Sequence, residues 1–313
     1  MRITVKQAAD FLKDRDNFLF LTHQSPDGDT IGSATALCYA INKLGKKGKV
    51  ICSDEIDRKY DFLFDGLDKS DFDIKTVVSV DVADSILLGK LESYKDKIEL
   101  CVDHHQTNKI ECERLCLFPD SASTAEIVFY IIKELGVEID ATLAEKIYTG
   151  VATDTGCFCF ANTKADTHRV AAALIDCGAD IEKVNRKMFE EKSQNCVTLE
   201  RLALETMEYH CDGKIAMMTV TLDMMEKSGA KENDLNGISS LPRQLEGVLA
   251  GVTIKEKEPG IYKVSVRTHA PIDAAIICEQ FGGGGHMRAA GCKISENLNE
   301  RKMEIVKAVE KQL

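Results

Sequence analysis

The sequence predicts a two-domain α/β protein: an N-terminal domain built on a doubly wound, mostly parallel sheet, joined by a helical linker to a smaller C-terminal α/β domain. Three observations carry this expectation. Strand-forming runs alternate with helix-period segments through the first half, the βαβ rhythm of a doubly wound sheet. A charged, helix-prone stretch almost free of turn residues spans Ile181 to His210. After Asp212-Gly213, short strands return with turns marked by Gly and Pro. The 313 residues are comfortable for two domains. The expected boundaries are 1–182, a linker over 183–211, and 212–313.

In chain order, Val5 to Lys13 reads as a short opening helix and Asn17 to Thr22 as the first strand. Thr30 to Leu44 places Ile31, Ala34, Leu37, Cys38, Ile41 and Leu44 at helical spacing. Lys49 to Cys52, Thr76 to Val80 and Ile98 to Val102 follow as strands, with a helical stretch at Asp84 to Tyr94. Helices are expected at Ser123 to Leu135, Ala141 to Ala152 and Lys164 to Cys177, the last capped by Gly178. Ile181 to His210 reads as a connecting helix. In the second domain, strands fall at Ile215 to Thr221, Val248 to Lys255 and Tyr262 to Thr268, and helices near Asp273 to Phe281 and Asn299 to Gln312.

Composition narrows the function classes. The chain is 44% hydrophobic and 29% charged, as expected of a globular protein. No apolar run reaches the roughly 18 to 20 residues of a membrane span, and Met1 to Gln7 lacks a secretory pattern. The 12 cysteines are scattered, many within apolar runs, which points to reduced thiols and a cytoplasmic location. The net charge of -11 disfavours a protein that tracks long nucleic acid. A small anionic substrate stays open, because bound cations reverse the field inside a cleft.

Three segments begin where strands stop: His23-Gln24-Ser25-Pro26-Asp27-Gly28-Asp29, Asp81, and Asp103-His104-His105. Ligands gather outside the carboxyl ends of strands in open α/β sheets, so these motifs are expected to meet. A cluster of carboxylates and imidazoles needs cations to hold it together. Asp27 or Asp29 alone reads as a helix cap; His23 beside them tips the balance toward a metal. If the chain is extended, His104 and His105 point to opposite faces, one toward a metal and the other toward substrate. Asp154 is a further candidate carboxylate. Carboxylates with a few imidazoles suit Mn²⁺ or Mg²⁺ chemistry better than zinc. Two ions about 3.5 to 4 Å apart, sharing a carboxylate, can activate a water for in-line attack on phosphorus.

Phe281-Gly282-Gly283-Gly284-Gly285-His286 follows an expected helix. Four glycines carry a large entropic cost, and their value would be backbone N–H groups that approach a phosphate unobstructed. His286 adds a donor, and Arg267 at a strand end can clamp a phosphate or stand as a surface charge. Arg243, Arg288 and His269 are weaker candidates. A between-domain cleft is the natural substrate site.

Together His23-x-x-x-Asp27-x-Asp29, Asp81, Asp103-His104-His105 and Asp154 resemble the four motifs of the DHH phosphoesterase superfamily. Gly282-Gly283-Gly284-Gly285-His286 with Ala289-Ala290-Gly291 resembles the signature of the DHH-associated C-terminal domain. Size and layout are similar to the nanoRNase and 3′-phosphoadenosine-5′-phosphate phosphatase subfamily. The resemblance implies two Mn²⁺ ions, with Mg²⁺ as a substitute. His23, Asp27 and Asp81 would hold one, and Asp29, Asp81, His104 and Asp154 the other. Asp103 would support His104, and His105 would contact the scissile phosphate. Arg267, Gly282, Gly283, Gly284, Gly285 and His286 would receive the rest of the substrate.

The expected activity is hydrolysis of very short oligoribonucleotides to nucleoside monophosphates, with phosphate removal from 3′-phosphoadenosine 5′-phosphate alongside. Alternatives are a phosphodiesterase of cyclic di-AMP or its linear product pApA, and a non-catalytic nucleotide-binding module. Expected partners are short oligoribonucleotides or a nucleotide bisphosphate as substrate, without long duplex nucleic acid or a membrane, and with homodimerisation left open.

Overall fold

The computed structural model describes residues 1–235 and 237–313, in two compact units, Met1–Glu191 and Lys192–Leu313. The first contains, in order, α1 (Val5–Asp14), β1 (Phe18–Leu21), α2 (Gly28–Lys43), β2 (Gly48–Ile51), β3 (Thr76–Val80), β4 (Ile98–Asp103), β5 (Arg114–Leu117), α3 (Thr124–Leu135), α4 (Ala141–Asp154), α5 (Ala165–Asp176) and α6 (Ile181–Asn185). Its five strands run in the order β2-β1-β3-β4-β5, each neighbour parallel to the next. The order reverses direction between β1 and β3, so the sheet has its switch point there.

Both faces of this sheet are buried, which explains why its strands are continuous apolar runs instead of alternating ones. Phe18, Phe20, Val78, Val80, Leu100 and Val102 pack against residues of α1 to α4. On the other face, Leu19, Leu21, Val77 and Cys101 meet Val82, Leu88 and Ile110. The helix expected at 84–94 is absent from that face. Ser85–Lys97 forms 3-10 turns broken at Gly89, whose φ of 56° and ψ of -124° are non-helical. A Cβ at Gly89 would lie 2.7 Å from Ser53 Oγ, so close packing on the neighbouring loop holds the break in place.

The stretch expected as one connecting helix is interrupted. After α6, Arg186–Glu190 forms a single π turn, Glu191 is extended, and α7 (Gln194–Leu204) starts afresh. Ser193 Oγ caps it, accepting from the N–H of Cys196 over 2.9 Å.

The second unit continues with β6 (Glu208–His210), β7 (Ile215–Val220), α8 (Leu222–Ser228), β8 (Ala250–Glu258), β9 (Ile261–Thr268), α9 (Ala274–Glu279), β10 (Gly284–His286), β11 (Ala289–Ser295) and α10 (Leu298–Glu310). Its six strands run β10-β11-β9-β8-β7-β6, antiparallel except for β7 beside β8. Val252, Ile254, Val264 and Val266 pack against Ile277 of α9 and Ile305 and Val309 of α10. On the opposite face Met218 and Val220 meet Leu199 and Ala203 of α7. Among the described residues, no helix is long and apolar enough to cross a membrane.

Candidate metal centre and a basic sheet face

The motif residues sit at the carboxyl ends of β1, β3 and β4, beside the switch point. Beyond β1 the chain turns at Ser25 (φ 51°), and Asp27 caps α2, its Oδ1 accepting the N–H groups of Asp29 and Thr30 at 3.0 Å each. Asp29 follows in the first turn of α2. Asp81, just past β3, holds φ 60°, a left-handed conformation uncommon outside glycine. Asp103 ends β4, and Asp154 ends α4.

These side chains converge in three groups whose ligand atoms lie within 4.8 Å of one another: His23, Asp27 and Asp81; Asp29, His104 and Asp154; and Asp81, His104 and His105. Asp81 faces two of them with different oxygens. Its Oδ2 is 3.7 Å from His23 Nε2, while its Oδ1 is 3.8 Å from His104 Nε2 and 3.6 Å from His105 Nδ1. His104 Nε2 also lies 4.0 Å from Asp29 Oδ2 and 3.7 Å from Asp154 Oδ2. The donors are oxygens and imidazole nitrogens without a thiolate, a set suited to hard divalent cations.

The two adjacent histidines do not point to opposite faces. The chain leaves the strand at Asp103, and the rings meet edge to face at 4.6 Å above the same acids. The carboxylate expected behind His104 also serves a different ring. Asp103 Oδ1 accepts the backbone N–H of His104 at 2.8 Å, but the imidazole it holds is that of His105, through Nδ1 at 2.7 Å. The His104 ring directs Nδ1 at the Ser121 carbonyl, 3.3 Å away, and His23 directs Nδ1 at the Gln24 carbonyl, 2.8 Å away. Each contact to a carbonyl fixes its ring by Nδ1 and turns Nε2 toward the acids.

A supporting set of residues was not visible in the sequence. The N-terminus of α3 points at Asp29: Thr124 N–H donates to Oδ2 at 2.7 Å and Ala125 N–H to Oδ1 at 2.8 Å. Two backbone donors and the positive end of the helix dipole thus hold a buried carboxylate. Thr124 Oγ1 donates to Asp81 Oδ1 at 2.8 Å, and Ser33 Oγ to Asp29 Oδ1 at 3.2 Å. Asn108 Nδ2 donates to Asp103 Oδ2 at 2.6 Å. Asn162 Nδ2 spans Ala122 O, Asp154 O and Asp154 Oδ2 at 2.9, 3.1 and 3.4 Å. Gly150 of α4 permits the close approach: a Cβ there would lie 2.8 Å from Asp29 Oδ1. The only sequence signal for this shell was Ser123, readable as a helix start but not as a helix aimed at Asp29.

Crowding shows in the proton affinities. Burial, then the charges of Asp81, Asp154 and Asp27, push Asp29 well above the usual carboxylate range. Burial lifts Asp154 to about 6. Burial and the Asp81 charge also raise Asp27. Asp81 moves the other way: burial opposes ionisation, but the hydrogen bond to His23 and the imidazoles His104 and His105 outweigh it. His105, paired with Asp103, rises to about 9. His23 also rises to about 9, burial being outweighed by Asp81 and Asp27. Among the described residues, no Lys or Arg pairs with these acids, so the protein supplies the anions and leaves the cations to be bound.

In the second unit the glycine run, expected to offer free backbone N–H groups, is partly a strand and partly hydrogen-bonded to the preceding helix. Gly284, Gly285 and His286 form β10, paired with Gly291, Ala290 and Ala289 of β11. The N–H groups of Gly282 and Gly283 are already spent on the carbonyls of Glu279 and Cys278, at 3.1 and 2.9 Å. Tight packing requires Gly283, where a Cβ would lie 2.2 Å from Gly291 O. Gly284 is different: a Cβ there would meet nothing within 4 Å.

Strand register places His286, Ala289, Arg267 and Gly251 in one row, and Gly284, Gly291, Ser265 and Thr253 in the next. Lys293, Lys263 and Lys255 extend the same face. Arg243 lies over Gly251, where a Cβ would reach its backbone N at 2.5 Å. Arg243 Nε and Thr253 Oγ1 are buried without a partner among the described residues. Burial and the Arg243 charge lower the Arg267 guanidinium. Burial, with Lys257, Lys263 and Arg267 outweighing Glu232, brings Lys255 down to about 8. Small residues in the middle and cations around them make a surface for an anion. Arg288 instead donates to the Ile272 carbonyl at 2.6 Å, a structural use, and His269 is exposed.

Acid and imidazole groups converging at the switch point of a parallel sheet, followed by a second α/β unit, define a metal-dependent phosphoesterase. The comparisons specify the lineage. Residues 17–151 match the DHH family, N-terminal domain, and residues 212–313 match the DHHA1 domain. A bifunctional oligoribonuclease and PAP phosphatase NrnA of Thermus thermophilus is 33% identical, over 99% of this chain and 94% of its own. The protein of the same name from Bacillus subtilis is 24% identical, over 89% and 90%. The crystal structure of an exopolyphosphatase-related protein from Bacteroides fragilis superposes with a TM-score of 0.86 at 22% identity, covering 98% of this chain and 95% of that one. The chain belongs to the DHH family.

Proposed function

We propose that this protein is a Mn²⁺-dependent phosphoesterase that hydrolyses very short oligoribonucleotides to nucleoside monophosphates and also removes phosphate from 3′-phosphoadenosine 5′-phosphate. The observation that carries this reading is Asp81, whose two oxygens face two donor groups, as a carboxylate shared by two ions would. The similarity to oligoribonuclease and PAP phosphatase relatives supports the substrate. In this reading residues 1–182 form the catalytic domain, 183–211 the linker and 212–313 the substrate-binding domain. His23, Asp27 and Asp81 hold one ion; Asp29, Asp81, His104 and Asp154 hold the second.

Oxygen and imidazole donors fit Mn²⁺, with Mg²⁺ as a substitute. When bound, such ions acidify water and neutralise charge on the phosphoryl oxygens. The chain's own residues do the rest. Asp103 fixes the His105 ring through Nδ1 and leaves Nε2 for a phosphoryl oxygen. Thr124 and the first turn of α3 keep Asp81 and Asp29 in place. Arg267 and His286 receive substrate phosphate, and the Gly282 to Gly285 run lets substrate approach the backbone, most openly at Gly284. The 12 cysteines are all free, which supports a reducing, cytoplasmic setting.

Turnover of a diribonucleotide, a twenty-nucleotide RNA, adenosine bisphosphate and cyclic di-AMP by one Mn²⁺-loaded preparation tests the proposal. The diribonucleotide and the bisphosphate should be consumed and the long RNA spared. Fast hydrolysis of cyclic di-AMP with an inert diribonucleotide would replace this reading with that of a cyclic-dinucleotide phosphodiesterase.

A further inference from the structure

Six residues beyond Asp154, Phe160 leaves 51% of its surface open, although its chain is tightly tethered to the metal centre. The segment folds back on itself: Cys159 N–H and Phe160 N–H donate to Thr155 O at 3.0 and 2.9 Å. Gly156, Cys157 and Phe158 are consecutively left-handed, with φ of 56°, 55° and 65°. For Cys and Phe that conformation is strained, and such strain concentrates at functional sites. The distal edge of the Phe160 ring rests on Gly156, where a Cβ would lie 2.4 Å from Phe160 Cζ. Asn162 then pins the segment to Asp154 and Ala122.

Anchoring the loop in the core does not explain Phe160. Phe158 fills that role, its ring stacked on His168 at 5.2 Å and near Tyr148 at 6.1 Å. Phe160 is instead presented outward on a rigid pedestal. Phe118 is also exposed, its N–H donating to Asp103 O at 3.1 Å. A nucleotide substrate brings an apolar face of its own, the base, which an open ring tethered beside the centre can cover.

We propose that Phe160 is the stacking platform for a nucleobase next to the scissile phosphate, and so selects nucleotides over phosphate esters that lack a base. The inference rests on the proposed function and deepens it. A base stacked on an aromatic ring gains affinity without regard to its identity, which suits an enzyme that clears short RNA of any sequence.

The chain contains no tryptophan, so Phe160→Trp would introduce a single tryptophan, excited apart from the tyrosines, at this point. Stacking predicts that adenosine monophosphate and a diribonucleotide quench its emission, whereas ribose 5-phosphate does not. In kinetics, Phe160→Leu keeps apolar packing on Gly156 but removes the ring. It should raise KM for a diribonucleotide about tenfold with kcat within about twofold, and Phe160→Trp should restore KM. Neither variant should change turnover of an abasic dinucleotide analogue. An unquenched Phe160→Trp, or a Phe160→Leu enzyme with unchanged KM, overturns the proposal, as does an equal KM rise on the abasic analogue. Quenching without any turnover of RNA by wild type would instead overturn the proposed function and leave the stacking role standing.

Discussion

Thr124 links two acids of the centre: its hydroxyl donates to Asp81 Oδ1 over 2.8 Å while its backbone N–H donates to Asp29 Oδ2 over 2.7 Å. A single residue at the start of α3 therefore sets the orientation of both carboxylates.

Thr124→Val keeps the shape and the backbone donor and removes only the hydroxyl. Freed of that bond, Asp81 should rotate, and Mn²⁺ affinity should fall about 10- to 100-fold, the usual effect of losing a partner that orients a ligand. Titration calorimetry of the metal-free protein reads this directly. An unchanged isotherm would mean that the neighbouring imidazoles alone fix Asp81.

Asp81→Asn preserves volume, and Asn tolerates the left-handed backbone at this position. Two donor groups lose their common anion. Turnover of a diribonucleotide should drop by more than about a thousandfold, since bound ions contribute several kcal/mol of transition-state stabilisation. Calorimetry should no longer show two ions per chain. Retention of both at wild-type affinity would remove Asp81 from the bridging position.

The stability of the metal-free form should fall as pH rises, in two windows. Asp154 holds its proton up to about 6 in the folded chain against an ordinary 3.8, and Asp29 shifts in the same direction. The Asp154 contribution is therefore present at low pH and lost as pH climbs through about 6, and that of Asp29 has the same sign. His23 and His105 are raised from 6.5 to about 9, so their contribution is complete below 6.5 and lost on approach to 9. Melting temperatures in chelator should decline across both ranges. Asp154→Asn should flatten the lower one, and added Mn²⁺ should restore stability at pH 8. A melting temperature that climbs from pH 5 to pH 8 in chelator would contradict the crowded-acid picture.

Two neighbouring glycines should respond in opposite ways. Gly283→Ala forces a Cβ to 2.2 Å from Gly291 O and should destabilise the second unit by roughly 1–3 kcal/mol, the usual penalty of overpacking. Gly284→Ala meets open space, so its melting temperature should stay near wild type while KM for a diribonucleotide rises several-fold. Equal KM values for Gly284→Ala and wild type would remove that position from substrate contact.

Much of the centre was legible because strand ends are where an α/β sheet assembles its ligands. His23, Asp27, Asp29, Asp81, His104 and Asp154 all fall at such ends or on the helices beside them. The residues that aim them were not legible. Thr124, Asn108 and Asn162 look like ordinary helix-start and loop residues until tertiary packing brings them to Asp81, Asp103 and Asp154. Asp103 bonds the His104 backbone and the His105 ring, whereas the resemblance implies support of His104 alone; the ring partner depends on how the chain turns after β4, which spacing does not encode. In the fold, Ser85–Lys97 has helical composition but is held in 3-10 turns by the close contact at Gly89. The Ala-Ala-Gly-Cys start of β11 has weak strand propensity and becomes a strand because β9 and β10 pair with it on either side.

Asp29 is gripped by the amides of α3, so its placement is written into the polypeptide itself. The supply of divalent cations around the protein then becomes a throttle on its output.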